Sequence, residues 1–192
     1  MNEFIISLKN ALGDCKRLDT SNCISGTSYE IITHRLFCVF DDRSEDQPVR
    51  VVKKREDHQL KVSNRNKEEN EICVLKTDKC LFTQDHKKCD CILFNKYKCF
   101  FVEISETSNG RRNSKRNDAV EQLGYTINLL REYNIDLNGL ETKAIICFKM
   151  GAIRPTQPSL NTKRALFLEQ YKVSLEEGNH ISFDNLESTA FD

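Results

Sequence analysis

Two short apolar runs joined by a polar turn constrain the fold of this chain most strongly. Residues 89–94 and 99–105 are rich in Cys, Ile, Leu, Phe and Val, and the polar segment 95–98 lies between them. Each run has the length of a strand, and a short polar connection between two such runs is typical of a β-hairpin. The sequence therefore predicts two adjacent antiparallel strands in the middle of the chain.

Further strands and helices surround this hairpin. Short apolar or alternating runs predict strands at 49–52, 60–62, 72–75 and 143–148. Apolar residues at helical spacing predict helices over 1–13, over 117–132, and from Thr162 to about Glu176. The apolar residues from Tyr29 to Phe40 have mixed spacing and predict a helix that begins near Ser28, with a strand at its end as an alternative. The last ten residues are expected to be loosely ordered. This order predicts an α/β fold with a mixed central β-sheet flanked by helices.

Length and charge limit the classes of function. The 192 residues suit one domain spanning 1–192, with a polar insertion at about 41–70. The 29 basic and 29 acidic residues cancel, which excludes binding of nucleic acid through bulk charge alone. The sequence shows neither a secretory signal pattern nor the run of about 20 apolar residues that a membrane span needs. We therefore expect a cytoplasmic protein without a membrane partner.

The cysteines raise the question of a zinc site. Five of the nine lie close together in the sequence, with His86 among them: Cys73, Cys80, Cys89, Cys91 and Cys99. Structural zinc is usually held by paired C-x2-C knuckles, and no such pair occurs here. The alternative, which the spacing favours, is that these residues are small apolar members of strands and carry free thiols.

The hairpin carries two acidic residues whose positions suit a cation site. Side chains alternate between the two faces of a strand, so Glu103 and Ser105 face away from Val102 and Ile104. If the register sets Asp90 beside Glu103, two carboxylates converge from strands about 4.8 Å apart. Such a pair can share one divalent cation. The alternative is a pair of surface carboxylates on a half-exposed sheet.

The residues 88–94 (KCDCILF) and 100–105 (FFVEIS) resemble the core of the PD-(D/E)xK nuclease superfamily. The resemblance covers about 70–150 and implies a restriction-endonuclease-like fold in which Asp90 and Glu103 bind Mg²⁺ or Mn²⁺. It also implies catalytic roles for Gln122, in the segment Ala119-Val120-Glu121-Gln122-Leu123, and for Glu30 on a preceding helix. The chain departs from the pattern at Ser105, where the family has a lysine that stabilises charge on the phosphate.

A basic segment follows the second strand. Four of its residues are the predicted nucleic-acid contacts: Arg111, Arg112, Lys115 and Arg116. Gly110 and the Asn and Ser residues around it favour a mobile loop over 108–117. Phosphate contact is one use for these cations, and Arg112, Lys115 and Arg116 are candidates to replace the missing lysine. A partner's acidic surface and a solvated loop are the alternatives.

Three functions follow from these patterns. The first is a metal-dependent nuclease acting on DNA or RNA, of the kind found in defence or mobile-element systems. The second is a catalytically inactive nuclease-fold protein that binds nucleic acid or a protein partner, which the serine at 105 favours. The third is an unrelated α/β interaction protein. A homodimer would suit a nuclease that cuts both strands, although the sequence singles out no dimer surface.

Overall fold

The computed structural model describes residues 28–42, 47–53, 59–65, 71–82, 87–105, 112–148 and 158–184. The predicted helix over 1–13 lies outside these residues, as do 185–192. Ten strands, two α-helices and one short helical turn (Thr77–Leu81) occur in the described ranges. The strands are β1 (Tyr29–Ile32), β2 (Leu36–Phe40), β3 (Arg50–Val52), β4 (Leu60–Ser63), β5 (Ile72–Lys76), β6 (Cys91–Phe94), β7 (Lys98–Ser105), β8 (Glu141–Phe148), β9 (Ser174–Glu177) and β10 (His180–Ser182), and the helices are α1 (Arg112–Glu132) and α2 (Pro158–Tyr171).

Six strands form the larger sheet, in the order β1-β5-β6-β7-β8-β9. The neighbours β1, β5, β6 and β7 run antiparallel, whereas β7, β8 and β9 run parallel. Parallel neighbours need a long crossover, and α1 and α2 provide the two crossovers. The predictions of an α/β fold, a mixed sheet and a hairpin over 89–105 are confirmed.

The smaller sheet has the order β10-β4-β2-β3, with β10 parallel to β4 and the other pairs antiparallel. Two of its strands, β3 and β4, come from the polar segment 41–70, where the sequence predicted short alternating strands. Val49, which directly precedes β3, and Leu60 and Val62 of β4 are buried in the core between the two sheets, so apolar contacts hold this segment in the fold. Strand β10 was not predicted.

Apolar residues cover both faces of the larger sheet. On one face, Ile92, Phe101 and Ile146 pack with Leu123 of α1 and Phe167 of α2. On the opposite face, residues of β5 to β8 pack against the smaller sheet: Val74, Leu93, Val102, Ile104 and Ile145 meet Phe37, Val39, Leu60 and Val62. The prediction of a sheet flanked by helices is therefore corrected, because both described helices pack on one face and the second sheet covers the other.

Three segments differ from the sequence prediction, one in its type of secondary structure and two in a helix boundary. The segment from Tyr29 to Phe40 forms β1 and β2 instead of a helix, since strand pairing satisfies its backbone and its β-branched residues suit a pleated sheet. Helix α1 begins at Arg112, so three of the four basic residues predicted in a loop, Arg112, Lys115 and Arg116, are helical. Helix α2 ends at Tyr171, where Lys172 adopts a left-handed φ of 52° and the chain turns into β9.

Candidate active site

The register of the hairpin brings Asp90 and Glu103 together. Cys91 pairs with Val102, and the amide of Asp90 donates to the carbonyl of Val102 at 3.0 Å, so Asp90 stands opposite Glu103. The carboxylate of Asp90 also accepts a hydrogen bond from the amide of Ile104 at 2.5 Å. Asp90 is 5% exposed and Glu103 3%. The alternative of a surface pair on a half-exposed sheet is therefore wrong, and the two carboxylates converge in the interior.

Helix α1 fixes the backbone that leads into Asp90. The hydroxyl of Thr126 accepts a hydrogen bond from the amide of Cys89 at 2.9 Å and donates to the carbonyl of Gln122 at 2.9 Å. The side-chain amide of Gln122 donates to the carbonyl of Lys88 at 3.2 Å. The peptide group that joins Lys88 to Cys89 is thereby held at both its carbonyl and its amide by side chains of one helix.

The turn after β5 (Thr77–Leu81) fixes the same segment from its other side. The amides of Thr77 and Asp78 donate to the carbonyl of Asp90 at 3.1 and 3.3 Å, and the Thr77 hydroxyl donates to the carbonyl of Cys89. The ammonium of Lys88 lies 3.4 Å from the carboxylate of Asp78. Asp90 is thus anchored by two structural elements, which reduces the conformational freedom of its carboxylate.

A pocket of about 380 Å³ opens over the two carboxylates. Its charged side chains are five acids and two lysines: Asp41, Asp78, Asp90, Glu103, Asp118, Lys79 and Lys115. Ser105 and Gln122 complete its walls. The excess of carboxylates makes the pocket attractive to a cation, and the two lysines among its lining residues offer positive charge to an anionic group.

The buried negative charge affects the neighbouring thiols. The pKa of Cys89 is raised to about 12: burial is the main cause, the hydrogen bonds with Thr126 and Thr77 lower it, and the nearby charges of Glu103 and Asp90 raise it. Burial also raises the pKa of Cys147 to about 12, with a contribution from Asp90. These thiols remain neutral at physiological pH, so they are poor ligands for a metal ion.

The predicted catalytic residues divide between the pocket and other places. Ser105 ends β7, is 3% exposed and lines the pocket, as does Gln122. Glu30 does not belong to this group. It lies on β1, pairs with Val74 of β5 and forms an ion pair with Lys76, so its predicted place on a helix is wrong. We assign it to the edge of the larger sheet.

The predicted basic contacts also separate. Lys115 lines the pocket from α1. Arg116, one residue later on the helix, points away from it: its guanidinium is buried, forms an ion pair with Glu177 of β9 and donates to Asn113 at 2.7 Å. The prediction that Arg116 contacts phosphate is not supported, because a contact with nucleic acid needs a side chain that solvent can reach and Arg116 is buried. Arg111 and the side chain of Arg112 lie outside the described residues.

Two carboxylates fit a divalent cation of the Mg²⁺ or Mn²⁺ type. Carboxylate oxygens are hard ligands, and Mg²⁺ is commonly held by one or two carboxylates with its remaining positions hydrated. Asp90 and Glu103 supply that donor set. In the part of the chain that the structure describes, no group of three His, Cys, Asp or Glu side chains is arranged to hold a metal by itself.

The cysteines form no described zinc site. Cys38, Cys73, Cys89, Cys91, Cys99 and Cys147 are buried free thiols, and Cys80 is buried as well, so all five clustered cysteines are core residues as predicted. Cys80 is different, because it is disulfide-bonded. The expectation of free thiols throughout is therefore wrong at Cys80. His86 lies outside the described residues.

Sequence reasoning missed four residues of the pocket. Asp41 directly follows β2, Asp78 and Lys79 lie in the turn after β5, and Asp118 lies on α1 three residues after Lys115. The helical spacing of Lys115, Asp118 and Gln122 could have placed these three on one face of α1. Nothing in the local sequence connects Asp41 or Asp78 with the hairpin, because strand pairing and sheet packing bring them there.

The chain was compared with protein families, with curated proteins and with solved structures. No family model, no curated protein and no solved structure matches it. Among the described residues, no helix is long and apolar enough to cross a membrane.

Proposed function

We propose that this protein is a divalent-cation-dependent nuclease that hydrolyses phosphodiester bonds of DNA or RNA. The observation that carries the proposal is the pairing of Asp90 with Glu103 across β6 and β7, at the base of one pocket with Ser105, Gln122 and Lys115. Buried carboxylates are costly unless they are paired or hold a cation. Two of them, opposed and anchored, suit a site for Mg²⁺ or Mn²⁺.

The order of elements supports a restriction-endonuclease-like core. Strands β5, β6 and β7 are antiparallel, α1 follows, and β8 returns parallel to β7. The acidic residue before β6 and the one near the end of β7 meet at one end of this sheet, and α1 carries Gln122 over them. This arrangement agrees with the resemblance to PD-(D/E)xK nucleases over about 70–150.

Asp90 and Glu103 would hold the cation through their carboxylate oxygens. When bound, a divalent cation in such a site activates water and stabilises negative charge on the phosphate and the leaving oxygen. The buried surroundings of the two carboxylates strengthen their attraction for a cation, because electrostatic interactions are stronger where water is excluded. The hydrogen bond from the amide of Ile104 holds the Asp90 carboxylate in place.

Lys115 takes the role of the family lysine in this proposal. Ser105 is neutral and short, so it can donate a hydrogen bond but supplies no positive charge. Lys115 lines the same pocket from α1, and a positively charged ammonium there would attract the phosphate and oppose the charge that develops on it. Gln122 acts on the backbone: its amide donates to the carbonyl of Lys88 and thereby orients the approach to Asp90.

The test is metal-dependent cleavage by the purified chain. Labelled single- and double-stranded DNA and RNA are incubated with Mg²⁺, Mn²⁺ or EDTA, and products are separated on gels. We expect cleavage with a divalent cation, lowered about 100-fold or more by Asp90→Asn and by Glu103→Gln. Glu169→Gln, an exposed acid of α2, is the matched control and should cleave like the parent. Cleavage that survives both site substitutions contradicts the proposal.

A second function is favoured by the serine at 105. A chain that has lost catalysis would keep the fold and bind nucleic acid or a protein partner. Its signature is Mn²⁺ binding by the parent, lost in Asp90→Asn, together with nucleic-acid binding and no cleavage of any substrate. Cleavage gels, run beside Mn²⁺ calorimetry and a nucleic-acid binding assay, therefore separate the enzyme from a nucleic-acid-binding protein.

A further inference from the structure

A buried acidic residue next to the smaller sheet lines the pocket. Asp41 directly follows β2, is 6% exposed and lines the pocket that contains Asp90 and Glu103. It lies outside the region 70–150 that carries the nuclease resemblance. The smaller sheet thus contributes to the site as well as covering one face of the larger sheet.

Gln59 holds the backbone of Asp41 from both sides. The amide of Asp41 donates to Oε1 of Gln59 at 2.7 Å, and Nε2 of Gln59 donates to the carbonyl of Asp41 at 3.0 Å. Gln59 is fully buried, and its own carbonyl accepts a hydrogen bond from the thiol of Cys147 at 3.1 Å. Cys147 pairs with Ile104, the neighbour of Glu103, so these contacts connect Asp41 to the strand that carries the site.

The other two acids of the pocket wall are placed differently. The side chain of Asp78 is 32% exposed and forms an ion pair with Lys88, while Asp118 is exposed on α1. Asp41 is the buried one of the three, and burial of a carboxylate costs free energy that a nearby cation or ordered water can offset. Its fixed backbone suggests a position that the site requires.

The donor set of Asp90 and Glu103 leaves coordination positions to water. Mg²⁺ in particular dehydrates reluctantly and keeps several waters in protein sites. Water held by a cation donates hydrogen bonds, and carboxylates beyond the direct ligands accept them and raise metal affinity. We propose that Asp41 accepts hydrogen bonds from the water that hydrates a divalent cation at Asp90 and Glu103, and that Gln59 is its positioning residue. This inference rests on the proposed function.

The test measures Mn²⁺ binding to the full chain by calorimetry, without any substrate. Asp41→Asn keeps the size of the side chain and leaves both Gln59 bonds intact, because these bonds involve the backbone of Asp41. We expect its dissociation constant for Mn²⁺ to rise about tenfold, since loss of such partners typically costs about 10- to 100-fold in metal affinity. Asp42→Asn is the matched control: this neighbour forms a surface ion pair with Arg50 at 3.3 Å and should bind Mn²⁺ like the parent.

A second variant tests the positioning role. Gln59→Met removes both backbone contacts while keeping the volume, and it should weaken Mn²⁺ binding by a similar factor. If Gln59 acts through Asp41, the double variant should bind Mn²⁺ no more weakly than Asp41→Asn alone. If Gln59 has only a structural role, Gln59→Met would lower the melting temperature and leave the Mn²⁺ affinity unchanged. Thermal unfolding of each variant identifies any that do not fold, and Asp41→Ser replaces Asp41→Asn in that case.

The outcomes distinguish this inference from the proposed function. Parent-like Mn²⁺ affinity in a folded Asp41 variant overturns the role of Asp41, while loss of binding in Asp90→Asn still supports the proposed site. A parent chain that binds no Mn²⁺ overturns both. An equal loss of affinity in Asp41→Asn and Asp42→Asn also overturns the inference, because it would reflect net charge alone.

Discussion

Arg116 of α1 forms a buried ion pair with Glu177 of β9, joining the start of the helix to the edge of the six-stranded sheet. Their side chains are 5% and 13% exposed, and Arg116 also donates to Asn113 within the helix. Lys115 and Asp118 on the same helix segment line the pocket. The pair therefore fixes the part of α1 that supplies positive and negative charge to the candidate site.

Removal of one partner of this pair should destabilise the fold. Arg116→Met leaves Glu177 buried without its cation, and breaking a buried pair typically costs about 3–5 kcal/mol. We expect the free energy of unfolding, measured by urea denaturation, to fall by about that amount. In the double variant with Glu177→Leu, the loss should be smaller than in Arg116→Met alone. A loss below about 1 kcal/mol in the single variant would mean that the pair is solvated.

Gly124 marks a close approach between the two helices. A Cβ atom at this position would overlap the ring and hydroxyl of Tyr171 on α2. Overpacking typically costs about 1–3 kcal/mol, against about 1 kcal/mol that alanine gains over glycine inside a helix. We expect Gly124→Ala to lower the free energy of unfolding by about 1 kcal/mol, and Tyr171→Leu in the same chain to relieve that loss.

The matched control for this helix contact is Gly178→Ala. Gly178 has no atom within 4 Å of an added Cβ and a φ that other residues adopt, so its replacement should leave stability within about 0.5 kcal/mol of the parent. If Gly124→Ala were as stable as the control, α1 and α2 would be able to move apart at this position and make room for the methyl group.

The hairpin and its two carboxylates could be predicted because the signal is local. Alternation along 89–94 and 99–105 determines which residues share a face, and a short connection determines which strands pair. Cys89 shows the limit of this reasoning: it lies before β6 begins and packs with the helix-side cluster, whereas Cys91 packs toward the second sheet. Side-chain alternation applies only within the strand itself.

The rest of the site depends on contacts between distant parts of the chain. Asp41 enters the pocket because β2 pairs with β4 in a second sheet, a relationship that no local pattern encodes. The mixed spacing of the apolar residues around Glu30 predicts a helix, yet pairing with β5 decides its structure. At both residues, pairing between strands that are distant in the sequence overrides the local preference.

The buried thiols predict a loss of stability at alkaline pH. Burial raises the pKa of Cys73 from 9.0 to about 12 in the folded chain, so the thiol stays neutral there after it ionises in the unfolded chain. Its contribution is complete below pH 9 and is lost as the pH rises from about 9 to about 12. We expect the stability difference between the parent and Cys73→Val, measured by urea unfolding, to shrink by up to about 1.4 kcal/mol per pH unit above pH 9. A constant difference between pH 8 and pH 10.5 would contradict this prediction.

Thr126 should contribute both to the stability of the fold and to cation binding. Thr126→Val leaves the buried amide of Cys89 without its acceptor, which typically costs about 1–3 kcal/mol. Because this amide precedes Asp90, we also expect Mn²⁺ affinity to fall. Thr142→Val is the control, since the Thr142 hydroxyl donates to the carbonyl of Leu140 at the start of β8 and should affect neither property strongly. Unchanged Mn²⁺ affinity in Thr126→Val would mean that Asp90 is positioned without α1.

Replacement of Lys115 tests whether its ammonium takes the place of the lysine that the nuclease family has at the position of Ser105. Lys115→Met removes the ammonium from the pocket wall while keeping the apolar stem, so stability should change by less than about 0.5 kcal/mol. Loss of one preorganised charge-stabilising group typically lowers turnover about 10²- to 10³-fold, and we expect that loss in kcat with Mn²⁺ affinity retained. Lys163→Met on α2 is the matched control and should cleave like the parent. Parent-like turnover in Lys115→Met would exclude this lysine as the replacement for the one that Ser105 lacks. An equal loss of cleavage in both lysine variants would instead indicate a general effect of positive charge on substrate binding. Such an effect should raise KM and diminish at high salt.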